Sequence, residues 1–425
     1  MKKLLFALLV LMIGISLFAQ EEETNNEPFK VWGSADVYAI QGDEYYFRNP
    51  KDFKLMGNLE VNAKYTVNDN LEFNGTLVTG NYLKSLEINP YDGIHHIYTQ
   101  LYYLNAKYKN DQIGEISVGN LPLKVNTYVL QRVTNDDYFG NALTQTGNFP
   151  LLGLNWKNKI NSFSYNIWGG RMGKNGFDDM DLYAYSCGLG QLRDTYGAQL
   201  KYDFGPLVAE AVYTHFTGVT LDEEESKGKT NIYGGGVKVP IESIDSHIAG
   251  NYYVRSGDYL DDNTKMWDLY FLKNFDKFYA KLGYIYVGEH YNAPGDWMMH
   301  TRNGSGIKGW QLYWAGPLAG KFSTYGYIHD GKDFNEATEG PLFKSKLGLI
   351  YKFDEKNDIN FNWTYKHRGV DDIDSHVIDN YWFIGYTHKF DDKMKLSLNY
   401  ELNRYNYDIE DGNQHIFFTQ FTYSF

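Results

Sequence analysis

Cysteine is all but absent. Cys187 is the single one in 425 residues, which excludes an internal disulfide framework and any Cys-rich zinc or iron–sulfur site. Proline is scarce, with 10 residues against 42 glycines. Long hydrophobic runs are missing beyond Phe18, and mean hydropathy is −0.49. No later stretch approaches the ~18 apolar residues of a membrane-spanning helix. Positive charge is also in deficit, with 40 Lys and Arg against 53 Asp and Glu. That balance speaks against a nucleic-acid partner, whose phosphates require a basic face. Aromatic residues, by contrast, are abundant: 38 Tyr, 26 Phe and 9 Trp, or 17% of the chain. Together with the glycines they favour many strands joined by tight turns.

The N-terminus has the pattern of an export signal. Lys2 and Lys3 precede an apolar run from Leu4 to Phe18, and Ala19 offers a small residue for cleavage. The run is too short for a comfortable membrane span and fits a secretory signal peptide over 1–19. Residues 20–29 form a short acidic lead-in.

Residues 54–67 alternate without a fault. Leu55, Gly57, Leu59, Val61, Ala63, Tyr65 and Val67 fall on one face, and Lys54, Met56, Asn58, Glu60, Asn62, Lys64 and Thr66 on the other. This is a strand with one apolar and one polar side. A turn at Asn68–Asn70 leads into Leu71, Phe73, Gly75 and Leu77 on the next apolar face, completing a hairpin. The unit recurs to the C-terminus, giving about nine hairpins with short turns, joined by longer polar segments such as 218–229, 288–304 and 368–378. The phase is ambiguous only over 94–119. A first strand near 30–41 and a last near 413–425 bring the expectation to about 20 strands, with 18 as the alternative.

The expected fold class is therefore all-β: one antiparallel transmembrane β-barrel over 30–425, with short periplasmic turns and long external loops. A soluble propeller or sandwich would show blade repeats or strands apolar on both faces. Here the polar face is long, as in Lys395, Ser397, Asn399, Glu401 and Asn403, and fits a water-filled interior. Tyr65, Tyr108, Trp156, Tyr202, Phe204, Phe278, Trp314, Phe322, Tyr351, Phe353, Phe361 and Phe390 lie beside the short turns. Amphipathic rings at that level read as a membrane-interface girdle.

The chain ends Phe417–Phe418–Thr419–Gln420–Phe421–Thr422–Tyr423–Ser424–Phe425. This segment resembles the terminal strand of bacterial outer-membrane proteins, and the whole architecture resembles a Gram-negative-type porin. The resemblance implies an outer-membrane location and recognition of Phe421, Tyr423 and Phe425 by the barrel assembly machinery. It also implies a lipid bilayer with outer-leaflet glycolipid around the barrel, and it leaves a monomer and a homotrimer open. By the same resemblance, the third external loop, about 120–149 with Arg132, Asp136 and Asp137, folds into the lumen as a constriction. An external flap is the other reading of that loop.

The expected function is passive diffusion of small polar or anionic solutes and ions through a water-filled channel, with no cofactor. A barrel enzyme or a surface adhesin is the alternative. The enzyme reading is weak, because His215, His290, His300 and Ser256 show no spacing that links them into a catalytic site. His95 and His96 are adjacent and would point to opposite faces of a strand. Neither Asp258, Asp261 and Asp262 nor Asp371, Asp372 and Asp374 meets a calcium-loop spacing. The eight arginines lie in or beside the long loops. Arg193, Arg255 and Arg368 fall on the polar phase near Lys344, Lys346 and Lys366 and are candidates for a cationic mouth that attracts anions.

Overall fold

The fold is that of a computed structural model, which describes residues 28–42, 54–80, 98–130, 149–172, 191–219, 226–257, 263–291, 293, 306–334, 339–368, 377–407 and 410–425. Twenty strands follow one another: β1 (Phe29–Gly42), β2 (Lys54–Asn68), β3 (Leu71–Gly80), β4 (Tyr98–Asn110), β5 (Gly114–Leu123), β6 (Phe149–Ile160), β7 (Phe163–Met172), β8 (Gln191–Asp203), β9 (Val208–Val219) and β10 (Ser226–Ile241). The second half comprises β11 (Ser246–Gly257), β12 (Lys265–Phe275), β13 (Phe278–Val287), β14 (Ile307–Ala319), β15 (Phe322–Asp333), β16 (Gly340–Lys352), β17 (Asn357–Arg368), β18 (Val377–Lys389), β19 (Met394–Tyr407) and β20 (Glu410–Ser424). Each strand pairs antiparallel with its neighbours in sequence, and β1 also pairs with β20, so the sheet closes on itself. Closure leaves no edge strand, the condition under which a sheet can stand in lipid.

The seam between β1 and β20 is locked from inside. The Asp36 carboxylate accepts from Thr422 Oγ1 at 2.6 Å and from Gln420 Nε2 at 3.0 Å. Beyond the last ladder pair, Phe425 exchanges backbone hydrogen bonds with Gly33 at 2.9 and 3.1 Å. A Cβ on Gly33 would stand 2.1 Å from the Glu60 carbonyl oxygen and 2.7 Å from the Phe425 ring, so glycine lets β2 and the terminal aromatic approach the first strand this closely.

The alternation expected over 54–67 is the observed one. Tyr65 and Val67 face out, and Asn58 is buried within. The outer surface carries a belt of exposed apolar side chains, including Leu104, Leu152, Leu269, Leu282, Ile384 and Leu398. Near the short turns, Tyr65, Tyr108, Tyr202, Phe204, Phe322, Phe353 and Phe390 are exposed on that same surface.

The ambiguous phase over 94–119 has a physical cause. Thr76 pairs with Tyr103 and Leu77 with Leu101, so Tyr102 is an extra residue in the ladder. The bulge lets Leu101 and Leu104 both face lipid although they are three apart. With β4, β5 and β1 all in the ring, the count is 20 and the 18-strand alternative falls.

Candidate functional site: the lumen

Two regions divide the interior. Toward the long loops, the chain leaving β5 turns inward. Asn126 Nδ2 donates to Glu210 Oε1 at 2.7 Å and to Tyr253 Oη at 2.8 Å. Tyr128 Oη donates to Asp268, and its ring stacks on Tyr253 with centroids 5.6 Å apart. Tyr291, ahead of β14, donates from its hydroxyl to the Tyr128 carbonyl at 2.9 Å. Val125, Val129 and Leu130 complete the contact, buried with Phe216, Ile232, Met266, Ile285, Val287, Ile307 and Leu342 from the strands. Residues 124–130 are thus fastened to β9, β11 and β12 by apolar packing and by two carboxylates.

This region differs from the uniformly polar interior expected from sequence. Val212, Phe216, Ile232, Met266, Ile285 and Val287 lie on the inward phase, and the reason is that a chain segment covers them in place of water. A signal was present: Ile285, Tyr286 and Val287 are consecutive and apolar on both faces, as a strand buried on both sides should be. Arg132, Asp136 and Asp137, the residues expected at the constriction, lie outside the described residues.

Toward the short turns the lumen is basic. A cavity of about 660 Å³ is lined by Lys109, Lys124, Lys157, Lys159 and Lys201, with Asp111 and Glu115 as its carboxylates. Lys124 comes from the inward segment and the other four from the wall. Nearby charges pair among themselves: Glu72 lies 2.6 Å from Lys64 and 3.3 Å from Lys107, and Lys201 lies 3.0 Å from Glu210. Among the described residues, Lys124, Lys157 and Lys159 have no ion pair. Lys109, Lys157, Lys159 and Lys201 lie at the mouth opposite the arginines expected from sequence, on the polar phase of regular hairpins, where alternation marks them as inward.

The residues expected to line the mouth do not form one ring. Lys344 and Lys366 face each other across β16 and β17, with Lys346 opposite Thr364 and Arg368 opposite Leu342. Lys346 stands 6.0 Å from the centre of the Tyr325 ring, and Lys366 stands 5.1 Å from that of Tyr381. The Arg368 side chain lies outside what is described. Arg255 points inward but is 4% exposed, donating to Thr230 Oγ1 at 3.0 Å and to the His290 carbonyl at 2.9 Å. It braces a loop and does not line an open mouth. Arg193 departs from the expected phase, because a register shift between Leu192 and Asp194 makes it an extra residue of β8. Its guanidinium lies beside Asp194, whose phase is that of the outward Tyr196.

Phe421 and Tyr423 are on β20 beside β1, on the outward phase, and Phe425 follows them. His215 stacks on Tyr196 on the outer surface, while His290 gives Arg255 its carbonyl inside. Among the described residues, no group of three His, Cys, Asp or Glu could hold a metal ion.

Comparison with solved structures decides the class of barrel. OccK5 (OpdH) of Pseudomonas aeruginosa matches with a TM-score of 0.54 at 12% identity, covering 93% of this chain and 98% of that one. The fold is that of an outer-membrane porin. OccAB4 of Acinetobacter baumannii matches at a TM-score of 0.51 and 12% identity, over 95% of this chain and 100% of that one. OccK11 (OpdR) of Pseudomonas aeruginosa gives 0.51 and 12%, over 93% and 95%. No protein-family model and no curated relative matches the sequence. The porin fold and the apolar outer belt are consistent with a barrel set in the outer membrane.

Proposed function

We propose that this porin-fold barrel is a non-enzymatic channel through which small anionic solutes diffuse across the outer membrane. The observation that carries the reading is the lysine-lined cavity. Five lysines and two carboxylates line a space the size of a small-molecule site; Lys201 and Lys109 are paired with Glu210 and Glu72, and Lys124, Lys157 and Lys159 supply the excess of positive charge. Field lines concentrate in a narrow low-dielectric passage, so a local excess of one sign sets ion preference even where the whole chain is acidic. The segment 124–130 narrows the lumen beside this cavity and sends Lys124 into it, so solutes are held against the wall that bears the lysines.

Replacing Lys124, Lys157 and Lys159 together with Gln tests the reading. In a salt gradient the unaltered protein should show a reversal potential of anion preference, and the triple variant should lose most of it. A cation-selective potential, or one the triple variant leaves unchanged, would remove the lysines from the function.

A further inference from the structure

The wall of the lysine-lined cavity is built by three strands in register. Lys157 of β6 pairs with Asn166 of β7, which pairs with Gln199 of β8. One step toward the short turns, Lys159 pairs with Ser164, which pairs with Lys201. All six side chains are on the inward phase and line the cavity. Two residues along a strand span about 7 Å and neighbouring strands lie about 4.8 Å apart. The six therefore form one patch, and each of them carries a hydrogen-bond donor.

The patch holds more donors than it uses. Asn155 Nδ2 donates to Asn166 Oδ1 at 2.5 Å, which takes the acceptor of the Asn166 amide and leaves its donors. Gln199 is 8% exposed, and its Nε2 is buried without a hydrogen-bond partner. A buried amide donor without an acceptor is costly, and an acceptor brought by a solute removes that cost. Charge points the same way. Lys201 is paired with Glu210 at 3.0 Å, Lys109 with Glu72 at 3.9 Å and Glu115 with Lys107 at 3.8 Å. That leaves Lys124, Lys157 and Lys159 against Asp111, an excess of two positive charges among the described residues of the lining.

We propose that this cavity binds the phosphoryl group of a small phosphorylated solute. The proposal rests on the reading of the lumen as an anion path and narrows it to one head group. A phosphate monoester at neutral pH carries about 1.5–2 negative charges on three acceptor oxygens, which matches the excess. Its oxygens diverge tetrahedrally, so one group meets Lys157, Lys159 and the Gln199 amide together. A carboxylate brings a single charge and two oxygens in one plane. Among the described residues no arginine lines the cavity. The planar fork that fits a carboxylate is thus missing, and lysine point charges, which serve phosphate from any direction, stand in its place. The cavity, about 660 Å³, also has room for the body that carries the phosphoryl group.

The test uses the full chain in a planar bilayer with chloride carrying the current, and reads the solute concentration that half-blocks it. The probes are glycerol phosphate, inorganic phosphate and glycerate, the last with a carboxylate on a body of similar size. Glycerol phosphate should block at a concentration at least about tenfold below glycerate, the worth of one further hydrogen bond to a charged group. Gln199→Leu, and Lys157→Gln with Lys159→Gln, should each weaken glycerol phosphate more than glycerate and so narrow that ratio. Among the described residues no histidine lines the cavity. Acidification from about pH 8 to about pH 5 should therefore act through the ester, whose second pKa is about 6, and weaken its block about tenfold. Inorganic phosphate blocking as well as the ester would assign the site to the free ion, and weaker block would assign it to the ester; either supports phosphoryl recognition. Equal block by glycerol phosphate and glycerate would overturn the proposal and leave the anion path standing, as would a ratio unchanged in Gln199→Leu. A current carried by cations would remove both. Unaltered heat-resistant migration on a gel identifies variants that remain folded.

Discussion

Asp354 ends β16 by gathering donors. Its Oδ1 accepts from the backbone N–H of Lys356 and of Asn357, each at 2.8 Å, and its two oxygens accept from Asn357 Nδ2 at 2.8 and 2.9 Å. The Asn357 side chain and the Lys356 N–H hold its pKa below the usual carboxylate range. A depressed carboxylate stabilises the fold above its unfolded pKa, and that contribution is lost as pH falls through the folded value. Amide hydrogen exchange at 353–357 should therefore rise on acidification below pH ~4, and Asp354→Asn should flatten that dependence. Equal pH profiles for the two proteins would contradict it. Asn68, Asn110, Asp203 and Asp391 cap other short turns through the same kind of side-chain oxygen, the reason Asn and Asp recur at such turns. The lipid face makes its own prediction. Lys at Leu347 or Leu398 should cost about 2–4 kcal/mol of stability in vesicles, and Lys at Asn62 or Asn399 little. Denaturant unfolding of folded, vesicle-inserted protein measures both, and equal costs would reverse the inside–outside assignment.

At the scale of elements, strands were legible and inserted chain was not. Period-two alternation located β2, β3, β16, β17 and β19 because each has a single apolar face set by lipid. The Tyr102 and Arg193 bulges each add one residue and invert the phase beyond it, so alternation alone misplaces Arg193. The inward course of 124–130 depends on Asn126 and Tyr128 finding Glu210, Tyr253 and Asp268 far away in the sequence, which no local pattern encodes. Replacing Asn126 with Ala and Tyr128 with Phe should free the segment and raise single-channel conductance without altering barrel assembly. A conductance equal to that of the unaltered protein would show that 124–130 does not limit flow. Deleting about ten residues around Asp136 tests the rest of the loop: conductance should rise and selectivity weaken.

The whole molecule joins a fold set by lipid to a lumen set by charge. Its acidity of −13 conceals the basic cavity, because net charge sums over loops, outer rim and lumen alike. What the chain does therefore turns on the sign of charge along the path that ions take. Planar-bilayer recording of the purified protein under a salt gradient reads that sign directly. An anion-preferring channel should give stepwise conductance increases on insertion, with a reversal potential showing that anions carry most of the current. A bilayer that stays silent although the folded barrel has inserted, or stepwise currents carried by cations, would contradict it.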